Sequence, residues 1–235
     1  MSVFKMLFLI LTEILMAGVA QAEVIEMTTA PLAHSGTVYS YPRLYHLETV
    51  LGITTSHLSG LDANHQGSDD TINGLVGGVD VLFGRGQWQF ETGLLKAERG
   101  GNETTSTDKA ALQLKYLEVP LLVNYSFSHP LNTHLFVKGG MVLAYLQDAK
   151  RSLRGQVDGE PDSEDVKSSF EDFDPRIQIG FGGRFKLAHG FFWVVEADYQ
   201  RSIQQISRFD SQTTDFYYKV YNESLGVMTG MSFDL

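Results

Sequence analysis

The chain has 235 residues, no cysteine and a formal net charge of -10 at pH 7. Without cysteine it has neither a disulfide framework nor a lipid-acceptor thiol behind a leader segment. The negative charge argues against nucleic acid as a partner, because binding phosphates requires a basic surface.

The N-terminal segment has the order of a secretory signal peptide. A short start with Lys5 precedes a mainly apolar run, and an Ala-Gln-Ala cleavage site ends at Ala22. We therefore expect residues 1–22 to be removed on export. A permanent membrane anchor is the weaker alternative, because Glu13 interrupts a run already shorter than the ~18 apolar residues of a membrane helix.

The remainder has the length of one domain and contains no stretch apolar enough for a membrane helix. Residues 23–43 show no clear periodicity and are interpreted as a periplasmic lead-in. In residues 44–235, segments of alternating apolar and small or polar residues recur between turn signals. Such alternation is typical of strands, because successive side chains of a strand point to opposite faces.

Eight such segments are predicted. Their apolar faces carry, in chain order, Leu47, Leu51 and Ile53; Leu75, Val79 and Phe83; Trp88, Phe90, Thr92 and Leu94; Leu117, Val119, Leu121 and Val123; Leu135, Val137, Met141 and Tyr145; Ile177, Ile179 and Phe181; Phe191, Trp193, Val195 and Tyr199; and Leu225, Val227, Met231 and Phe233. Short connections near residues 84–87, 126–133 and 187–190 alternate with long ones near 58–71, 99–111, 149–174 and 202–215. Short turns alternating with long loops are typical of bacterial outer-membrane barrels.

The opposite strand faces carry the ionisable residues. These are Glu48, Asp80, Glu91, Glu118, Lys138, Arg176, Arg184, Glu196 and Asp198. A barrel with charges inside and apolar side chains outside is built for lipid, whereas a soluble lipocalin-type barrel has the reverse polarity. We therefore predict an all-β fold, an eight-stranded antiparallel up-and-down transmembrane β-barrel. Ten strands stay possible if the lead-in also pairs.

One strand carries a family motif. The sequence Tyr-Leu-Glu-Val-Pro-Leu-Leu from Tyr116 resembles the Tyr-x-Glu-x-Pro strand of the PorT-like outer-membrane β-barrel family, whose barrels are of the OmpA/OmpX-like eight-stranded kind. The motif residues are Tyr116, Glu118 and Pro120. Because proline cannot donate to a β-ladder, we expect a local bulge at Pro120.

The resemblance implies a location and partners rather than an activity. It places the chain in the outer membrane of a Gram-negative-type bacterium, in contact with membrane lipid and lipopolysaccharide. The final strand, ending at Leu235, also resembles the C-terminal strands that the barrel-assembly machinery reads. Some relatives of this kind serve a secretion system.

The nine inward ionisable residues are the strongest candidate site, and two interpretations are open. They could line a path for ions or solutes, or they could fill the lumen as a network of salt bridges. The second is favoured, because side chains nearly fill the interior of an eight-stranded barrel. The acidic segment between Asp148 and Asp174 lacks the spacing of a calcium loop and is interpreted as a solvated surface loop.

Neither a catalytic nor a cofactor site is predicted. His57 and Ser59 share one strand face, as in a lipid-deacylating pair, but no acidic residue to orient the histidine is evident. No metal or phosphate-binding motif occurs either. We expect a non-enzymatic, structural or surface-interacting protein that works through its outside loops. The alternatives are a small passive pore, a secretion component or, less favoured, a lipid-modifying enzyme.

Overall fold

The computed structural model describes residues 43–59, 71–104, 109–128, 133–154, 163–208 and 220–235. The predicted signal peptide and all of the predicted lead-in except its last residue lie outside these ranges. Within them, no helix has the length and apolar character needed to span a membrane.

Nearly all of the described chain is strand. The strands are β1 Arg43–Ser59, β2 Ile72–Arg85, β3 Trp88–Thr104, β4 Lys109–Ser128, β5 Thr133–Arg154, β6 Ser163–Asp165, β7 Phe173–Ala188, β8 Phe191–Ser202 and β9 Tyr221–Asp234. A single 3₁₀ turn, Lys167–Ser169, lies between β6 and β7 in this part of the chain.

Antiparallel pairing closes the sheet into a barrel. Each barrel strand pairs with its neighbour in the chain, and β1 also pairs with β9. The short strand β6 adds only to one end of β5, so eight strands form the wall. The predicted eight-stranded antiparallel barrel is confirmed. We call the end with the short connections, such as Arg85–Trp88, the turn end, and the opposite end the loop end.

The outer wall is apolar across its middle. Leu51, Ile53 and Phe181 are more than 60% exposed, while Glu91 and Glu118 on the other face are buried. On β9 the apolar face runs from Leu225 to Phe233, a length of about 27 Å along the strand. Because barrel strands are tilted by ~40° from the barrel axis, this face covers roughly 20 Å along the axis. This apolar belt matches a lipid layer and rules out the polarity of a soluble ligand-binding barrel.

Aromatic side chains gather on the outer wall near the turn end. Trp88 packs against Tyr125 with ring centroids 4.7 Å apart, and Phe185 packs against Trp193 at 5.6 Å. Amphipathic rings prefer the boundary between lipid and water, so this girdle marks one edge of the apolar belt.

The prediction of a bulge at Pro120 is wrong. The register of β4 with each neighbouring strand is the same before and after Pro120. The only register shift in β4 lies between Lys115 and Tyr116, in its pairing with β5. Instead, pairing with β3 is interrupted opposite the proline, at Gly93 and Leu94. The missing N–H is therefore accommodated by a local gap in one ladder.

Three strands are longer than the sequence pattern indicated. The predicted loop at residues 99–111 is largely strand, because β3 continues to Thr104 and β4 begins at Lys109. Likewise β5 continues to Arg154, inside the predicted long acidic loop. These extensions carry the wall of the barrel beyond the apolar belt at the loop end.

Candidate functional site

All nine inward ionisable residues are buried, and the structure adds three that sequence reasoning missed, namely His46 on β1, Arg99 and Asp174. Arg99 and Asp174 were assigned to loops, yet Arg99 lies on β3, Asp174 lies on β7, and both are at most 1% exposed. The position of Arg99 differs from that of Glu91 by an even number of residues, and so does that of Asp174 from Arg176, which places both on the inward faces of their strands. The alternation of the sequence could therefore have identified them. The described lumen charges form three groups along the barrel.

The upper ion group lies nearest the loop end and is centred on Glu118. Arg99 donates from Nε and Nη2 to the two carboxylate oxygens of Glu118 at 2.8 and 3.0 Å. Arg176 donates to the same carboxylate at 2.6 Å and to Asp174 at 2.8 Å. One carboxylate thus joins guanidinium groups of β3 and β7 across the lumen, in the forked geometry that makes such bonds strong.

Polar and aromatic neighbours complete the upper ion group. Arg99 also donates to Gln200 at 2.9 Å and to the hydroxyl of Ser224. The guanidinium of Arg176 lies 4.2 Å from the centre of the Tyr116 ring. Tyr116 and Glu118 of the family motif therefore contact the same arginine, a cation–π and ion-pair combination.

The middle ion group surrounds Lys138. Its ammonium lies 2.8 Å from Glu91 and 2.7 Å from Glu196, and all three side chains are buried. Asn124 donates to the second oxygen of Glu91 at 3.2 Å. Two carboxylates of β3 and β8 thus share one cation from β5.

The lower ion group lies toward the turn end. Arg184 donates to Glu48 at 2.6 Å and lies 4.2 Å from the centre of the Phe136 ring. Close by, Nδ1 of the buried His46 is 2.7 Å from Oδ1 of Asp234. These contacts tie β1 to both β7 and β9.

Asp80 and Asp198 have no cation within ion-pair distance among the described residues. Oδ1 of Asp80 has no hydrogen-bond partner in this part of the structure, and Asp198 accepts one hydrogen bond, from Gln200 at 3.2 Å. The structure therefore brings seven of the nine predicted residues into ion pairs and leaves these two outside them.

An apolar cap closes over the upper ion group. Its buried members are Leu114, Tyr116, Ala144, Leu146, Ala149, Phe170, Ile206 and Val220. Segments beyond the barrel wall supply part of it, held by backbone hydrogen bonds from Val166 to Ala149 and from Glu171 to Ile206. Inside the lumen the polarity therefore changes from charged to apolar at the loop end.

The predicted acidic loop is only partly described. Asp158, Glu160 and Asp162 lie outside the described residues. Arg208 approaches Glu171 at 3.6 Å and Asp172 at 3.0 Å. In the described ranges, no group of three or more acidic or histidine side chains has the arrangement of a metal site.

The His57–Ser59 pair has an acidic neighbour that sequence reasoning did not find. Ser59 donates to Glu223 of β9 at 2.9 Å, and Nε2 of His57 is 3.7 Å from the same carboxylate. No acid was evident from the sequence, because it is the pairing of β1 with the distant β9 that supplies one. Serine and histidine both point to the carboxylate, however, rather than forming the serine–histidine–acid relay of a hydrolase.

Comparison with known protein families agrees with the barrel architecture. A family model described as "Outer membrane protein beta-barrel domain" matches residues 39–208. A search of curated proteins gave no match.

Three solved structures illustrate the similarity. Neisserial surface protein A is 8% identical with a TM-score of 0.48, covering 81% of this chain and 97% of its own. The outer membrane protein OprG from Pseudomonas aeruginosa is 8% identical with a TM-score of 0.44, covering 83% and 96%. The outer membrane protease OmpT from Escherichia coli is 11% identical with a TM-score of 0.43, covering 86% and 99%. Identities this low say nothing about activity.

Proposed function

Because this chain belongs to the outer membrane protein β-barrel family, we propose that it is a structural or surface-interacting protein whose lumen is closed to ions and solutes. Membership of the family implies the outer membrane of a Gram-negative bacterium. The proposal concerns what the barrel does in that membrane: it displays its loop end outward on a rigid support, and nothing crosses its interior.

The upper ion group carries the proposal. Glu118 joins Arg99 and Arg176 from different walls of the barrel, and all three side chains are at most 1% exposed. A hydrated ion would have to break these bonds to pass, which leaves buried charges unpaired. The apolar cap above them adds a second barrier, because an ion loses its hydration there without gaining partners.

The proposal also includes membership of a more specific group within the family. We assign the chain to the PorT-like branch on Tyr116, Glu118 and Pro120. The contacts give the first two a shared role, since both hold Arg176. A role in a secretion system, contact with lipopolysaccharide and delivery by the barrel-assembly machinery are the partner expectations that go with this branch.

Planar-bilayer recording of the purified protein tests the closed lumen. We expect a baseline without discrete current steps at neutral pH. The rival interpretation, a small pore, is favoured by the excess of carboxyl groups over cationic groups among the described residues of the lumen. It predicts steady current steps with a preference for cations, and their appearance would overturn the closed-lumen proposal.

A second candidate function is lipid hydrolysis on the outer wall. It is favoured by the carboxylate of Glu223 beside His57 and Ser59, next to the exposed apolar side chain of Leu225. Glu223, which accepts the hydrogen bond of Ser59, would take the serine proton as the hydroxyl attacks an acyl ester of a membrane lipid. The lipid alcohol would leave with that proton, and water would then hydrolyse the acyl-serine. Mass spectrometry of membrane lipids from cells producing the protein or its Ser59→Ala variant separates the candidates: identical lipids exclude the enzyme.

A further inference from the structure

The described part of the lumen carries more negative than positive charge. Its buried carboxyl groups number seven, on Glu48, Asp80, Glu91, Glu118, Asp174, Glu196 and Asp198. Its buried permanent cations number four, on Arg99, Lys138, Arg176 and Arg184. If every carboxyl were ionised, the described interior would hold three uncompensated negative charges, and burial makes such charges costly.

Asp80 is one place where the excess is concentrated. Its side chain is 3% exposed, and its Oδ1 has no hydrogen-bond partner among the described residues. The charged groups that face it are Glu48 on β1, Glu91 on β3, Glu196 on β8 and Lys138 on β5. Three carboxylates thus surround it, and the single ammonium is already bound by two of them.

Asp198 is the second place. It is 5% exposed, its only hydrogen bond comes from the amide of Gln200, and its Oδ1 has no partner in the described structure. The charged groups that face it are Arg99 on β3, Lys138 on β5 and Glu118 on β4. Both of these cations are engaged by other carboxylates.

We propose that Asp80 and Asp198 are proton-binding sites, each holding a neutral carboxyl group inside the lumen at neutral pH. A buried carboxylate without a cation takes up a proton from solvent and becomes neutral rather than remaining charged. A bound metal ion is the other way to compensate the charge. The described residues argue against it, since they contain no group of acidic or histidine ligands with metal-site geometry.

The inference rests on the proposed closed lumen, because water in an open lumen would hydrate both carboxylates and leave them ionised. The inference also implies that pH regulates the packing of the lumen. Raising the pH removes the two protons and places new negative charge beside Glu48, Glu91 and Glu196 at Asp80, and beside Glu118 at Asp198. Repulsion then weakens the lumen packing, so the barrel is less compact at alkaline pH than at neutral pH.

Infrared absorption of the protein in alkyl glycoside micelles tests the proposal, since that detergent has no carbonyl group. We expect a protonated-carboxyl C=O band at pH 7 that shifts in D₂O. Asp80→Asn and Asp198→Asn should each remove a separate part of it. Glu164→Gln is the matched control, because Glu164 is exposed on β6, outside the lumen, and its substitution should leave the band unchanged.

The outcomes distinguish the two proposals. Absence of the band in the native protein, or a band that neither substitution changes, overturns the proton sites. If either variant fails to fold, alkaline titration of the unsubstituted protein still decides, since the band must disappear reversibly. Absence of the band with a silent bilayer recording removes this inference alone, whereas absence with current steps removes the closed lumen as well.

Discussion

The carboxylate of Asp80 lies directly against the backbone of Gly93, its partner across the β2–β3 ladder. A Cβ atom on Gly93 would be 2.1 Å from Oδ1 of Asp80 and 2.3 Å from the carbonyl oxygen of Val79. The same relationship holds between Asp198 and Gly226, where the distance would be 2.2 Å. Inward glycines therefore leave the space that an aspartate side chain of the neighbouring strand occupies.

Replacing Gly93 with alanine should destabilise the barrel. The added methyl group collides with a backbone oxygen as well as with Asp80, so side-chain movement alone cannot relieve the contact. We expect the free energy of unfolding, measured by urea titration in detergent, to fall by about 1–3 kcal/mol. Gly139→Ala is the control, because its nearest atoms would be 3.6 Å away. Equal effects of the two substitutions would contradict the packing described for Gly93.

Neutralising Glu118 should be among the most damaging single changes in the lumen. Glu118→Gln leaves the guanidinium groups of Arg99 and Arg176 buried without their shared counter-charge. We expect a loss of about 3–5 kcal/mol in the free energy of unfolding, from the same urea titration.

Glu98→Gln is the control for that substitution. Glu98 pairs with Lys115 at 3.8 Å on the partly exposed outer wall, where an ion pair contributes roughly 0–1 kcal/mol. A Glu118 variant as stable as the Glu98 variant would show that the upper ion group does not hold the walls together.

The packing of the apolar cap can be tested with two nearby isoleucines, one inside the cap and one outside it. Ile206 is fully buried in the cap, whereas Ile203 is 48% exposed. Ile206→Asp places a charge among apolar side chains, which should release the segments 163–172 and 203–208 at the loop end while the barrel wall persists. We expect faster protease cleavage within these two segments for Ile206→Asp and an unchanged rate for Ile203→Asp. Equal cleavage rates would mean that the cap does not fix the loops.

The strand pattern could be predicted from the sequence wherever lipid lies outside and charge lies inside. There the two faces differ most, so alternation placed Glu91, Lys138 and Glu196 in the lumen and Ile179 and Phe181 on the wall, as the structure confirms. Contacts between walls could not be predicted in the same way. The meeting of Glu223 with His57 depends on barrel closure, which joins residues far apart in the chain.

The extensions of β3, β4 and β5 were missed for a physical reason. Beyond the apolar belt the outer wall meets water, so Lys96 and Glu98 point outward while Leu114 and Leu146 pack inside. The polarity of the alternation reverses at that level, and a pattern interpreted with one polarity throughout mistakes the reversal for a loop. Arg99 lies at this transition.

The central claim is that apolar side chains face lipid while ionisable ones face a closed interior, and the two tryptophans of the chain test it most directly. Trp88 and Trp193 both lie on the outer wall, 60% and 44% exposed. We predict that lipids brominated on their acyl chains strongly quench the tryptophan fluorescence of the protein in vesicles, and that aqueous iodide quenches it weakly. Trp88→Phe and Trp193→Phe variants assign the signal to each position. Strong quenching by iodide with none by brominated lipid would contradict the orientation of the whole barrel.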